Sequence, residues 1–500
     1  MKNIYGLLIA GILLIVSSLE AQYSIEWIGA KNELWEEPDN WSEGRVPNDS
    51  DLVLIDTGDT VIVKAFHPII NSLDLIQSGL VISAGSELTI EECIGVACDL
   101  SGAYLKNQGR LRIFGTQGDA LANRNGSELL NQGEIIILEV TNEGIRNLSK
   151  LINNGSLVIE DSRYRGIYNT DSLINNGDII IRDFSNSTDP TQFGDAGIFN
   201  GGSGHFINTG NIELKSGEDN IYGIDNRANL YNRGSLSIAQ AFEAFTNRDS
   251  LFNSGEIVCN GGRLLSSGFA TNDTGGLIRI LRSGIVVSNG GGFENRSTMV
   301  IDSSSNSAMT LSNGGSFDNY DSIYMERVRV NGISIGLGIN TFTNRSGGTI
   351  EMRKIGILGV STIADGVFEN DGTLNISNVG NIGIKNDGIT RNRGDITIDS
   401  SGLIGITNRG DFVTFITSSI SISNSPIGLE NYEVFVHGGD MTLFDYSEMG
   451  LLNNDRFIIT GSSLSPSLIN GSLRIIQNNA TPFESTIGSL FEVGGDFLIE

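Results

Sequence analysis

The 500-residue chain carries 64 Gly but only 7 Pro, 3 Cys, 3 His and 3 Trp, and its 32 basic against 59 acidic residues leave a net charge of −27. Gly at about twice its usual share with so little Pro excludes collagen and a Pro-rich disordered chain, and a pI near 4.4 argues against a nucleic-acid partner, which wants clustered Lys and Arg. With 39% hydrophobic and 18% charged residues, the chain is apolar enough to bury a core and too polar to live in a membrane.

At the N-terminus, Lys2 supplies a short positive region and residues 4–16 an apolar stretch too short to cross a bilayer comfortably. Ser17-Ser18-Leu19-Glu20-Ala21 then forms a small-residue cleavage region, so residues 1–21 read as a secretory signal peptide. No later run reaches the roughly 18 apolar residues of a membrane helix. The mature chain is expected to be secreted or held at a bacterial cell surface, without a membrane span.

Residues 22–66 read as an N-terminal cap. They hold Trp27, Trp35 and Trp41 and lead into Asn40-Trp41-Ser42-Glu43-Gly44-Arg45-Val46-Pro47, followed by Asp51, Val53 and Ile55. This NWS-x-G-x-x-P-x-x-x-D-x-V-x-I stretch resembles the opening of bacterial secreted right-handed β-helix proteins of adhesin-like and autotransporter-passenger-like type. Ala21-Gln22 is similar to the signal-region ending of Bacteroidetes exported proteins. The likeness is confined to this short segment; it implies a secreted β-helix at the cell surface and leaves activity open. Proteins of that type commonly end in a type IX secretion sorting domain, and no such module is read here. The chain stops in a strand-like stretch, residues 496–500, without the polar cap a solenoid needs, which points to a fragment. The three Trp could stack on sugar rings or plug the open end of a core; the position of Trp41 in the motif favours the plug.

Cys93 and Cys98 are close enough in sequence to bridge in an oxidising compartment, with Cys259 left over as a small inward hydrophobe.

From about residue 105 one pattern recurs: apolar, any, Asn, any, Gly, any, apolar, any, apolar. It places Asn at 107, 131, 153, 175, 208, 232 and 253 (Asn107, Asn131, Asn153, Asn175, Asn208, Asn232 and Asn253). It continues with erosion through Asn295, Asn319, Asn344, Asn370, Asn392, Asn408, Asn431, Asn453 and Asn470, with a degenerate copy around Asn272. Each named position lies two residues from the next, the period of a strand, so all could face one side. A second element, as in Gly144-Ile145-Arg146-Asn147 and Gly166-Ile167-Tyr168-Asn169, precedes the first. Each unit thus offers two or three short strands separated by Asn/Gly corners. A lone unit cannot bury its apolar face, but stacked units can.

The expected fold is all-β, a single elongated parallel β-solenoid over residues 67–500 with coils of about 22 residues, roughly 17 in number at strand spacing of about 4.8 Å. Asn is expected to ladder between coils or cap corners, and Gly to supply positive φ. A β-sandwich array or propeller is the runner-up, without its blade signatures. Residues 185–195 read as a loop insertion.

Catalytic signals are sparse. Stacked acids such as Asp161 with Asp183, and the basic pairs Arg279/Arg282, Arg327/Arg329 and Arg353/Lys354, fit glycoside hydrolysis or lyase chemistry only as chance pairs on a solvent face. His67, His205 and His437 are scattered and define neither a metal site nor a dyad. Asp119, Asp195 and Asp219 are weak candidates for Ca²⁺, and no other cofactor is implied. The expectation is a structural or adhesive display module without catalysis, with glycans or cell-surface components as partners; the alternative is a polysaccharide lyase or glycoside hydrolase on the same fold.

Overall fold

The computed structural model describes residues 23–184, 196–216 and 222–458, and beyond them the backbone of four strands, Ser472–Ile475, Thr481–Ser485, Leu490–Val493 and Asp496–Ile499. The signal segment 1–21, the insertion 185–195, Asp219 and Asn470 lie outside the described residues. Chain contacts define two compact units, Met1–Ser187 and Thr188–Glu500. Both are parallel β-solenoids, and together they hold about 17 turns with coils about 23 residues long.

Each coil gives one strand to each of three sheets. In one coil these are Leu121–Arg124, Glu128–Asn131 and Glu134–Val140; in the next, Ile145–Asn147, Lys150–Asn153 and Ser156–Ser162. We call them the first, second and third sheets. Register is in step from coil to coil, with Leu121 against Ile145, Leu129 against Leu151 and Ile135 against Leu157. The alternation in sequence dictates this: a slip of one residue would turn every buried side chain outward. Among the described residues the only helical segment is one 3₁₀ turn, Pro38–Asn40.

Stacking starts earlier than residue 67. Leu52–Ile55 pairs with Ser72–Ile76, and Thr60–Val63 with Gly79–Ile82. The boundary expected at residue 67 therefore falls a coil too late.

Two buried columns of asparagine run through the core. On the second sheet Asn107 donates through Nδ2 to Asn131 Oδ1 at 2.8 Å, Asn131 to Asn153 at 2.7 Å and Asn153 to Asn175 at 2.8 Å. The other unit repeats this from Asn208 through Asn232, Asn253, Asn272, Asn295, Asn319, Asn344 and Asn370 to Asn392, each link 2.8 Å. Most of these amides also reach a carbonyl of the next coil, as Asn131 does to Ser156 O at 2.9 Å, so a buried amide is satisfied where an unpaired one would cost about 1–3 kcal/mol.

The first sheet carries the second column, through Asn123, Asn147 and Asn169, then Asn200, Asn226 and Asn247, then Asn386, Asn408, Asn431 and Asn453. Asn408, Asn431 and Asn453 therefore do not continue the repeat that ends at Asn392. The second-sheet positions after Asn392 are Thr414 and then His437, whose hydroxyl and Nδ1 lie 2.7 Å apart.

Glycine at the repeat corner has a different role from the one expected. Gly133, Gly155 and Gly177 are absent from the positive-φ glycines. Instead, a Cβ on Gly133 would lie 2.1 Å from Gly109 O, and one on Gly155 would lie 2.1 Å from Gly133 O. Close stacking of backbones, not handedness, selects glycine there. Left-handed residues occur at all three corners, and at the corner after the third sheet they are often not glycine: Glu92, Glu139, Asp161 and Asp183 in one unit, Arg282, Ser303, Arg327 and Lys354 in the other.

Candidate functional site

The residues of the N-terminal motif hold the cap together. Trp27, Trp35 and Trp41 are at most 2% exposed. Trp41 meets Trp27 edge-on with ring centroids 5.0 Å apart and Trp35 at 4.8 Å, and its Nε1 donates to Trp35 O at 2.8 Å. Asn40 accepts from the backbone N–H of Lys31 and of Asn32 and donates to Leu34 O. Asp51 accepts from both terminal nitrogens of Arg45, from Asn48 N and from Ser24 Oγ; the Arg45 guanidinium, against burial, holds its carboxyl below the usual range. Rings buried in this way offer no face to a sugar.

Cys93 and Cys98 stand as free thiols, so the bridge between them is not formed. Cys98 points into the core from the strand Cys98–Ser101, while Cys93 Sγ sits in its own turn, accepting from Gly95 N and facing Val96 O at 3.4 Å. Cys259 is an inward strand residue whose thiol burial pushes up to about 12.

Two outward-facing hollows concentrate ionisable groups. The first, in the N-terminal unit, is a cleft of about 380 Å³ lined by Tyr23, Asp74, Glu92, Cys93 and Asp99 among others. Asp74 and Asp99 are register partners on adjacent first-sheet strands, which places their backbones about 4.8 Å apart. Tyr23 donates to Asp74 Oδ2 at 2.6 Å, and Arg124 pairs with Asp99. Burial raises the Asp99 carboxyl above its ordinary range, against the pull of Arg124 and with help from the charge on Asp74. Along the same edge burial also raises Glu143, with Asp119 adding to the effect and Arg165 opposing it.

The second hollow, about 160 Å³, lies on the third sheet of the other unit and is lined by Val300, Asp302, Tyr324, Glu326, Glu351 and Arg353 among others. Here the carboxylates are matched by cations: Arg327 with Asp302, Arg353 with Glu351, and Lys354 with Glu326 at 3.0 Å. Burial pushes Asp302 up, but Arg327 and Ser303 outweigh it and hold the group below its usual range. Of the basic pairs singled out in the sequence, Arg353 lines this groove, Arg327 and Lys354 pair with its acids, Arg329 follows the end of the strand Ser322–Val328, and Arg279/Arg282 lies on and just past the neighbouring strand Leu277–Leu281.

The remaining sequence candidates do not converge. Asp161 and Asp183 are neighbours in one column of left-handed corners. His67 is exposed beside Glu87 and Arg110, His205 is exposed against Tyr231, and His437 is buried in the core. Asp119 is engaged by Asn142 and by Arg146 at 3.7 Å. Among the described residues no group of three His, Cys, Asp or Glu is placed to hold a metal ion, and no helix is long and apolar enough to cross a membrane. Sequence reasoning missed the Asp74/Asp99 pair, because no repeat signature marks those early strands.

The fold and its two hollows define a parallel β-solenoid with charged outer faces. No protein-family profile matches the sequence, and no curated protein matches it either.

Proposed function

We propose that this chain is an exported surface or extracellular β-solenoid that serves as a structural and adhesive display module, without catalysis. One observation carries this: the signature residues of the repeat go into intercoil amide columns and backbone contacts, while most ion-pairing carboxylates meet cations on their own or neighbouring coils, as in the second hollow. The sequence is thereby devoted to presenting long outer faces. The signal-like segment and the resemblance of the cap to secreted surface β-helix proteins support export.

A carbohydrate-active enzyme is the second reading, favoured by the Asp74/Asp99 pair in its cleft. Two carboxyls on register-paired backbones about 4.8 Å apart, one with a raised pKa, are the kind of pair a retaining glycosidase uses. Incubation of the purified protein with a polysaccharide panel tests both. Binding without new reducing ends or unsaturated uronates is the expected result. Release of either, abolished in Asp99→Asn, would replace display with catalysis.

A further inference from the structure

We propose that the basic corner beside the third-sheet groove binds a carboxylated polysaccharide; this rests on the display reading and names the class of ligand. The corner position is structurally permissive. Successive coils fill it with Glu139, Asp161 and Asp183 in one unit, and with Ser400, Asn424 and Asp445 later in the other. Yet three of four successive coils place Arg282, Arg327 and Lys354 there, with Ser303 between. Backbone geometry does not require those cations, and the chain as a whole is at −27.

Arg279, Arg329 and Arg353 join them on the same coils, so six cations face four carboxylates, Glu256, Asp302, Glu326 and Glu351. Those four acids pair with Arg279, Arg327, Lys354 and Arg353, which leaves two of the six cations over. Neither Arg282 nor Arg329 forms an ion pair among the described residues, and both are exposed. Their planar guanidinium groups are suited to bidentate carboxylate recognition.

The interleaved acids select the polymer. A densely charged phosphate backbone would be repelled by Asp302, Glu326 and Glu351. A sugar chain carries its carboxylates at intervals with hydroxyls between, so the cations take the former and the groove carboxylates accept hydrogen bonds from the latter. Tyr324, 42% exposed within the groove, adds an apolar surface for sugar C–H groups. The strand spacing of about 4.8 Å repeats these groups at intervals comparable to one sugar ring.

Titration calorimetry of the full chain with polygalacturonate, a neutral glucan and a single-stranded oligonucleotide tests the assignment. Polygalacturonate is expected to bind with an affinity that falls as salt is raised, and at least tenfold in the double variant Arg282→Glu/Arg329→Glu. Both positions are exposed, and unchanged far-UV circular dichroism would show the fold intact. Undiminished binding in the variant, or equal affinity for the oligonucleotide, overturns the inference. Binding of the neutral glucan alone overturns it too, while leaving the display reading in place. Cleavage of bound polygalacturonate, lost with the charge reversal, would keep the ligand class and remove the display reading.

Discussion

Replacing Asn319 with Ala should break one amide column at a position where every lost contact can be counted. Asn319 is fully buried. It accepts from Asn295 Nδ2 and donates through Nδ2 to Asn344 Oδ1 and Asp321 O, each at 2.8 Å, with Thr349 O sharing a donor at 3.4 Å. Three net hydrogen bonds at about 1 kcal/mol each are lost, and the stranded Asn344 carbonyl adds about 1–3 kcal/mol. Asn295 keeps its bond to Ser322 O, which limits the damage above. The sum is about 4–6 kcal/mol, felt first as local opening, since repeat stacks respond through nearest neighbours. Hydrogen exchange of the strands Gly292–Asn295, Ser316–Asn319 and Thr341–Asn344 reads this directly. Asn319→Asp provides the companion test. It removes the amide donor and places a carboxylate in the core, so its destabilisation should grow as pH rises above the unfolded value of about 3.9 and level off below it at the pH-independent loss of the donor. Protection within about 1 kcal/mol of the parent in Asn319→Ala would refute the idea that the column holds the coils in register.

Three further outcomes follow from the same structure. Gly133→Ala should be strongly destabilising because its Cβ would lie 2.1 Å from Gly109 O, whereas Gly126→Ala, at φ +80° with nothing within 4 Å, should cost only the left-handed strain of about 1–2 kcal/mol; parallel thermal melts separate the two. For Asp99 the folded pKa is raised, so the unfolded chain ionises first and the ionised carboxyl weakens the fold as pH climbs past about 3.9. Asp99→Asn should therefore melt at or above the parent at pH 7, with the difference closing below pH 3.9; a lower melting temperature at pH 7 would mean the Arg124 ion pair dominates. Cys98 and Cys259 have thiols raised by burial, so a thiol reagent at pH 8 should leave both unmodified until the chain is unfolded. Prompt modification of Cys259 in the native protein would contradict its inward placement.

The parallel solenoid was legible because its signal is periodic. Leu, Asn, Gly, Ile and Ile at two-residue steps, repeated every 21 to 26 residues in most copies, encode strand, corner and inward face together. What misled was the use of one signature for two columns. Asn392-Arg393-Gly394 and Asn408-Arg409-Gly410 look alike, yet they belong to different sheets. Their 16-residue separation, too short for a coil, was the mark of the switch. The first coil escaped notice because Leu52–Ile55 and Thr60–Val63 turn through Asp56-Thr57-Gly58-Asp59 without an inward Asn. The hollows were less readable still. Which outward residues share a groove depends on register summed over several coils, so Asp302, Glu326 and Arg353, each 24 to 27 residues from the next, become neighbours only once that register is known.

The amide columns have a direction. Within a column each Asn donates toward the following coil and accepts from the preceding one, and the leading carbonyls, Asn107 Oδ1 and Asn123 Oδ1, are buried with no donor among the described residues. A coil from the interior of a column therefore presents the same two faces as its neighbours. Deleting or duplicating one whole coil would leave donor meeting acceptor as before, while changing one Asn disturbs the coils on both sides. Heritable change in such a chain is cheapest in copy number, and the reach of its outer faces could lengthen or shorten a coil at a time while each remaining coil kept its internal bonding.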